Sequence, residues 1–208
     1  AARSSHHTWG NVGYYISAYN RFINIIGASQ TMLNPDSWEG WYWGAMHHYG
    51  HSMRNGAAEI YGQVEDCLQE AEHIVFWASD PEVTNGVYGS FEGTVRRQWA
   101  KELGIKMTHI DPYLNETAAF LGGKWIAPRP STSPALAQGL TYVWMTEGLY
   151  DKEYVEKRTT GFDKWQAYIM GKGEDGIART PEWAQEEPGV PARDIRALAR
   201  EWASKKTY

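Results

Sequence analysis

Residues 34 to 43 read NPDSWEGWYW, placing the carboxyl of Asp36 and the hydroxyl of Ser37 side by side among the rings of Trp38, Trp41, Tyr42 and Trp43. A packed core has no use for that pair, because a buried polar group without a partner costs free energy. A closed reaction site does: burial among rings raises a carboxyl pKa and makes it a proton donor near neutral pH. Taken alone, Ser37 reads as the N-cap of a helix over WEGWYWG. His47, His48 and His51 follow. Their spacing on a helix mimics a zinc pair, but the glutamate of HExxH is absent, so they read as hydrogen-bonded histidines of the fold.

The 208 residues suffice for one large domain, and 42 % of them are hydrophobic, enough for a sizeable core. The net charge is −5, with Lys and Arg scattered. A nucleic-acid surface needs a basic stripe, so that partner class is excluded. No uncharged apolar run reaches the ~18 residues of a membrane span. The start, AARSSHHTWG, has neither a signal-peptide core nor an initiator Met. It reads as an internal cut in a longer, cytoplasmic chain. The lone Cys67 allows no internal disulfide and no cysteine-ligated cluster. Eleven Trp and thirteen Tyr read first as a rich core and second as a pocket for a planar or sugar-like ligand.

Three parts follow from the pattern: 1–56, irregular with short helices, one of them over 14–27 ending at Gly27; 57–150, orderly; and 151–208, helical. In the middle part, Ile60, Tyr61, Val64, Cys67, Leu68 and Ala71 fall at helical spacing. HIVFWAS (73–79), IKMTHI (105–110) and KWIAP (124–128) read as buried strands. Phe91, Val95, Trp99 and Leu103 mark a helix stopped by Gly104. SDPEVTNG and DPYLNE read as breaks, and RPSTSPAL opens a helix to about Glu147, with Ser133 placed as its cap before Pro134. Beyond 150, helices are predicted over YDKEYVEKR, FDKWQAYIMG, PEWAQEE and ARDIRALAREWASKK.

This rhythm predicts a three-layer, Rossmann-like α/β fold, a parallel sheet with helices on both faces. Ligands in such sheets sit beyond the carboxyl ends of the strands. Those ends are SDPEVTN, DPYLNET and RPSTS, rich in small polar groups. Helix starts there suit phosphate, and Asp111 is placed to accept from a ribose hydroxyl. GxGxxG and GxxxxGK[ST] are both absent, so neither an ordinary NAD site nor a P-loop is expected.

The ordered set FWASDPEVTN, HIDPYLNETA, RPSTSPAL, YDKEYV, TTGF and GVPARDIRALA resembles the molybdopterin oxidoreductases of the dimethyl-sulfoxide-reductase superfamily, over about residues 60 to 200. The resemblance implies a molybdenum bis-molybdopterin-guanine-dinucleotide enzyme, with this segment holding one guanosine diphosphate arm. Carried over, Ser79, Asp80, Thr84 and Asn85 line the first turn, Asp111 meets the ribose, and Arg129, Ser131 and Thr132 lie near guanine. Ser133 stands where many relatives carry Asp.

Ser37 matches the metal-ligand position, and a deprotonated serine oxygen suits a hard metal. The implied activity moves a hydroxyl group between polyphenols, from pyrogallol towards phloroglucinol, without external oxidant. His6 is then the base, since imidazole titrates near neutrality, with His7 the alternative. Asp36 is the proton donor, Tyr14 a hydroxyl donor and Trp38 a pocket wall. The resemblance also implies partners: the rest of a large subunit, and a small subunit carrying the iron–sulfur clusters. Two other functions compete: a serine-ligated sulfoxide or N-oxide reductase, and a Trp-rich carbohydrate-binding module.

Overall fold

Strands β1 (His73–Trp77), β2 (Lys106–Ile110) and β3 (Lys124–Ile126) pair in parallel, in that order. The structure is a computed structural model that describes residues 21–28, 39–50, 64–84 and 92–208. The chain packs as two units, Ala1–Tyr61 and Gly62–Tyr208, and the sheet belongs to the second.

The register sets Trp77 beside Ile110 and Ile110 beside Ile126. Successive strand side chains point to opposite faces. Ile74, Phe76 and Met107 therefore enter one layer, and Val75, Trp77, Ile110 and Ile126 enter the other. Helices α3 (Val64–Glu70), α5 (Glu92–Glu102) and α6 (Glu116–Leu121) cover the first face through Cys67, Ala100 and Leu121. Helices α7 (Ser133–Thr146), α10 (Pro181–Glu186) and α11 (Ala192–Ala203) cover the second through Leu136, Leu140, Val143, Ala184, Ile195 and Leu198. The result is the expected three-layer α/β fold. Helices α8 (Lys152–Arg158) and α9 (Phe162–Ile169) stand where YDKEYVEKR and FDKWQAYIMG predict them.

Two glycines are required by geometry. Gly104, at φ 78°, closes α5 in the left-handed region that side chains avoid. At Gly123, with φ 105°, an added Cβ would lie 2.4 Å from the Met107 carbonyl oxygen, so only glycine admits this approach of the chain to β2.

The outer edge of β1 is taken by the residues after α11. Tyr208 N–H donates to the His73 carbonyl and Val75 N–H donates to the Tyr208 carbonyl, both at 2.9 Å. The His73 ring lies between Thr108 Oγ1, 2.9 Å from Nε2, and Thr207 Oγ1, 3.4 Å from Nδ1. Thr207 Oγ1 also donates to the Trp202 carbonyl, so Nδ1–H is the donor to it and Nε2 accepts from Thr108.

The structure departs from the sequence expectation in two places. The break SDPEVTNG contains helix α4 (Pro81–Thr84), and the break DPYLNE runs at its last residue into α6, a helix the sequence reading does not predict. Both are too short to show a hydrophobic period. Ser133 is the first residue of α7 rather than its cap, and Thr132 holds the cap position. The Ser133 hydroxyl instead accepts from the Trp77 indole N–H at 3.1 Å.

The first unit contains helical residues 21–25 (α1), with a turn at Gly27 as expected, and α2 (Glu39–Tyr49). Ile23 and Ala45 are buried. His48 Nδ1–H donates to the Gly44 carbonyl at 2.7 Å, the satisfied role expected for it. His51 lies outside the described residues. Among the described residues no group of His, Cys, Asp and Glu could hold a metal ion, and no helix is long and apolar enough to cross a membrane.

Candidate ligand-binding edge of the sheet

At the carboxyl end of β1 the chain turns through Ala78 at φ 48°, whose N–H donates to the Ile110 carbonyl at 2.8 Å. On the far side of the edge, Ser131, ahead of α7, has φ 65°. These are the positive-φ residues other than glycine among those described. Such backbone costs on the order of 1 kcal/mol per residue and gathers at ligand sites. Both stand at the sheet edge where the three strand ends predict a ligand.

The turn after Ala78 is held by α6. Asp80 Oδ1 accepts from the Thr117 N–H at 3.1 Å and from the Thr117 hydroxyl at 2.6 Å. The same hydroxyl accepts from the Glu82 N–H at 3.1 Å. Glu82 in turn pairs with Arg97 and accepts from the Thr94 hydroxyl at 2.6 Å. Burial alone would push the Asp80 carboxyl up. The hydrogen bonds from Thr117 and from the Glu116 N–H outweigh it and hold the group below the usual carboxylate range.

At the end of β2, Asp111 is only 7 % exposed. Its Oδ1 accepts from the Tyr113 N–H at 3.3 Å and its Oδ2 from the Asn115 amide at 3.1 Å. Its carbonyl accepts from the Trp125 indole at 2.9 Å. A carboxylate offers about four acceptor sites, so each oxygen keeps capacity for a further donor. The Tyr113 phenol, exposed beside it, is pushed up by desolvation and then by Asp111, Asp80 and Glu116. This side of the edge is therefore negative. It favours hydroxyl donors, such as a sugar diol, over phosphate.

The β3 end carries the positive charge. Arg129 Nη1 donates to the carbonyls of Glu186 and Glu187 at 2.9 and 3.1 Å, closing the carboxyl end of α10. Its backbone N–H donates to the Pro188 carbonyl, and its own carbonyl accepts from the Thr132 hydroxyl at 2.6 Å.

The structure thus gathers Ser79, Asp80 and Asp111 into one hydrogen-bonded group through α6, and Arg129, Ser131 and Thr132 into one turn. Thr84 closes α4, and its side chain is outside the described set. Asn85, His6, His7, Tyr14, Asp36, Ser37 and Trp38 also lie outside it. Sequence reasoning missed Asn115 and Thr117. The available signal was Asn115 followed by a short apolar segment, the pattern of a helix cap; its side chain accepts from the Ala118 N–H. Trp77, Trp144, Trp183 and Trp202 pack with the core. Trp99, Trp125 and Trp165, on α5, β3 and α9, are exposed.

No family model matches the chain. It is 53 % identical over 205 residues, 99 % of its length, to the pyrogallol hydroxytransferase large subunit of Pelobacter acidigallici, of which it covers 23 %. It is 37 % identical over 73 % of its length to a dimethyl sulfoxide/trimethylamine N-oxide reductase of Cereibacter sphaeroides, covering 19 % of that protein. It is 34 % identical over 89 % of its length to dimethyl sulfoxide reductase DmsA of Haemophilus influenzae, covering 24 %. Acetylene hydratase from Pelobacter acetylenicus shares the fold, with a TM-score of 0.54 and 24 % identity over 66 % of this chain and 17 % of that one. The chain thus spans about a quarter or less of the length of the curated relatives it matches.

Proposed function

This chain belongs to the dimethyl sulfoxide reductase superfamily of molybdopterin oxidoreductases, and on that premise we propose that it is the part of a larger molybdenum enzyme that carries the metal ligand and cradles one guanosine diphosphate arm of a bis-molybdopterin guanine dinucleotide. Residues 57–150 form the cofactor-binding core, 1–56 the active-site segment and 151–208 the packing helices. The observation that carries the cofactor assignment is Asp111. It is a nearly buried carboxylate at a strand tip, held by two protein donors, with acceptor capacity left for a ribose diol. Ser79, Asp80, Thr84 and Asn85 line the adjoining turn, and Arg129, Ser131 and Thr132 lie on the guanine side.

The whole enzyme transfers a hydroxyl group between polyphenols, pyrogallol and phloroglucinol among them. The 53 % identity to a pyrogallol hydroxytransferase large subunit supports this substrate class. Ser37 would hold the molybdenum, which would supply Lewis acidity and a two-electron couple when bound. His6 takes the proton of a phenol, whose ordinary pKa is about 10. Asp36 would return a proton, Tyr14 would donate to a ring hydroxyl, and Trp38 would wall the pocket. A small iron–sulfur subunit completes the cytoplasmic complex.

Identity to the sulfoxide and N-oxide reductases supports a second activity, reduction of such oxides through the same serine-ligated metal. One assay separates the two. The intact native complex should exchange hydroxyls between pyrogallol and a tetrahydroxybenzene with no added reductant. Sulfoxide reduction without that exchange would select the second activity. Acid hydrolysis of the same complex should release guanosine monophosphate alongside molybdenum; absence of both would end the cofactor assignment.

A further inference from the structure

We infer that Asn115 is the positioning residue of the cofactor edge, fixing the Asp111 carboxylate and the β1 turn as one unit for a ribose diol. The inference rests on the ribose assignment made for Asp111 above. Asn115 is 1 % exposed and caps α6 with its Oδ1, which accepts from the Ala118 N–H at 2.9 Å. A cap needs only that oxygen, and Ser or Asp would serve equally. The amide nitrogen does something else. It donates to Asp111 Oδ2 at 3.1 Å and to the Ser79 carbonyl at 3.2 Å. Both N–H groups are thus used across two loops, one at the end of β1 and one at the end of β2.

The consequence is geometric. Asp111 follows β2 on a loop and would otherwise choose among rotamers. The Asn115 amide on Oδ2 and the Tyr113 N–H on Oδ1 fix the carboxylate plane. Each oxygen keeps an open acceptor position on the same rigid group. Only an amide does this at position 115, because a hydroxyl has one hydrogen and a carboxylate has none. A fixed carboxylate loses less rotamer freedom when two vicinal hydroxyls bind, which raises affinity without a new contact. The tie to Ser79 sets the neighbouring turn at the same time.

The test compares unfolding midpoints of the holo complex with those of the same complex produced without cofactor. A ligand that binds only the folded state raises the midpoint, so the holo-minus-apo difference reports the cofactor's grip. A merely structural role for Asn115 lowers both midpoints and leaves the difference unchanged. Asn115→Ser keeps the cap but removes the second N–H and the reach; it should cut the difference to about half or less of wild type. Asn115→Asp keeps the cap and chain length but turns a carboxylate on Asp111; it should cut the difference at least as far, and it carries the test if the serine variant does not fold.

Asp111→Asn should also lower the difference, and adding Asn115→Ser to it should change little, because the two act through one carboxylate. A wild-type difference in the folded Asn115 variants, or strictly additive effects in the double variant, overturns the inference. A wild-type difference in Asp111→Asn overturns instead the ribose assignment beneath it.

Discussion

The Thr117 hydroxyl works in both directions, donating to Asp80 and accepting from the Glu82 N–H. Thr117 is 0 % exposed, and removing its hydroxyl takes one hydrogen bond from the Asp80 carboxylate and the one it offers the Glu82 N–H. Thr117→Val should cost about 1–3 kcal/mol in urea unfolding. The Asp80 carboxyl is held below its unfolded value, so its contribution is present above about pH 3.9 and is lost as pH falls through the folded value. The gap between wild type and Thr117→Val should therefore narrow below about pH 4. A gap constant with pH would exclude the carboxylate.

His73 and His109 follow the same linkage rule. Burial pushes His73 down, with Glu201 opposing and Lys106 and Lys205 assisting. Burial also pushes down His109, stacked at 5.0 Å on Phe76, with its bond to the Gly122 carbonyl opposing. Both are depressed in the fold, so their neutral forms stabilise it above about pH 6.5, and that stability is lost as pH falls below. The urea midpoint should drop from about pH 7.5 to 5.5, and by less in His73→Gln or His109→Gln. Equal slopes in all three proteins would rule the histidines out.

At the scale of elements, the packing of α7 on α10 turns on one missing side chain. A Cβ at Gly139 would lie 2.6 Å from the Ala184 Cβ and 3.4 Å from Ile195 Cγ2. Alanine is the better helix former by about 1 kcal/mol, but overpacking costs about 1–3 kcal/mol. Gly139→Ala should thus destabilise by thermal melting, and Ala184→Gly should recover part of the loss. A stabilised Gly139→Ala protein would show that the helices part freely.

Elements with a long apolar stripe were legible from sequence. α11 buries Ile195, Leu198 and Ala199, the face its spacing predicts. α4 and α6 were not legible, since four and six residues present no period and their turn formers read as breaks. Yet α6 supplies the residues that bind the edge together.

For the whole molecule, the proposed chemistry sits in the first unit and the cofactor edge in the second. The two should separate by mutation in the intact complex. Ser37→Ala should alter or release molybdenum while guanosine monophosphate remains at wild-type content. His6→Ala should retain the metal and lower turnover by about 10²-fold or more, the weight of a general base. Loss of nucleotide in Ser37→Ala, or full turnover in His6→Ala, would remove those roles. His7→Ala distinguishes the two adjacent imidazoles.

The order of strands and helices, the burial of both sheet faces and the superfamily resemblance were set by the residues in line. Hydrophobic period and turn chemistry act within a few residues, and motifs are read along the chain. What the tertiary structure alone decided is which polar atoms meet. The Asn115 amide reaches Ser79 across 36 positions, and Trp77 reaches Ser133 across 56. Those pairings depend on strand register and on how far each loop carries its residues beyond the sheet. A hydrogen bond demands that its atoms meet within a few tenths of an ångström, and no local pattern encodes that distance.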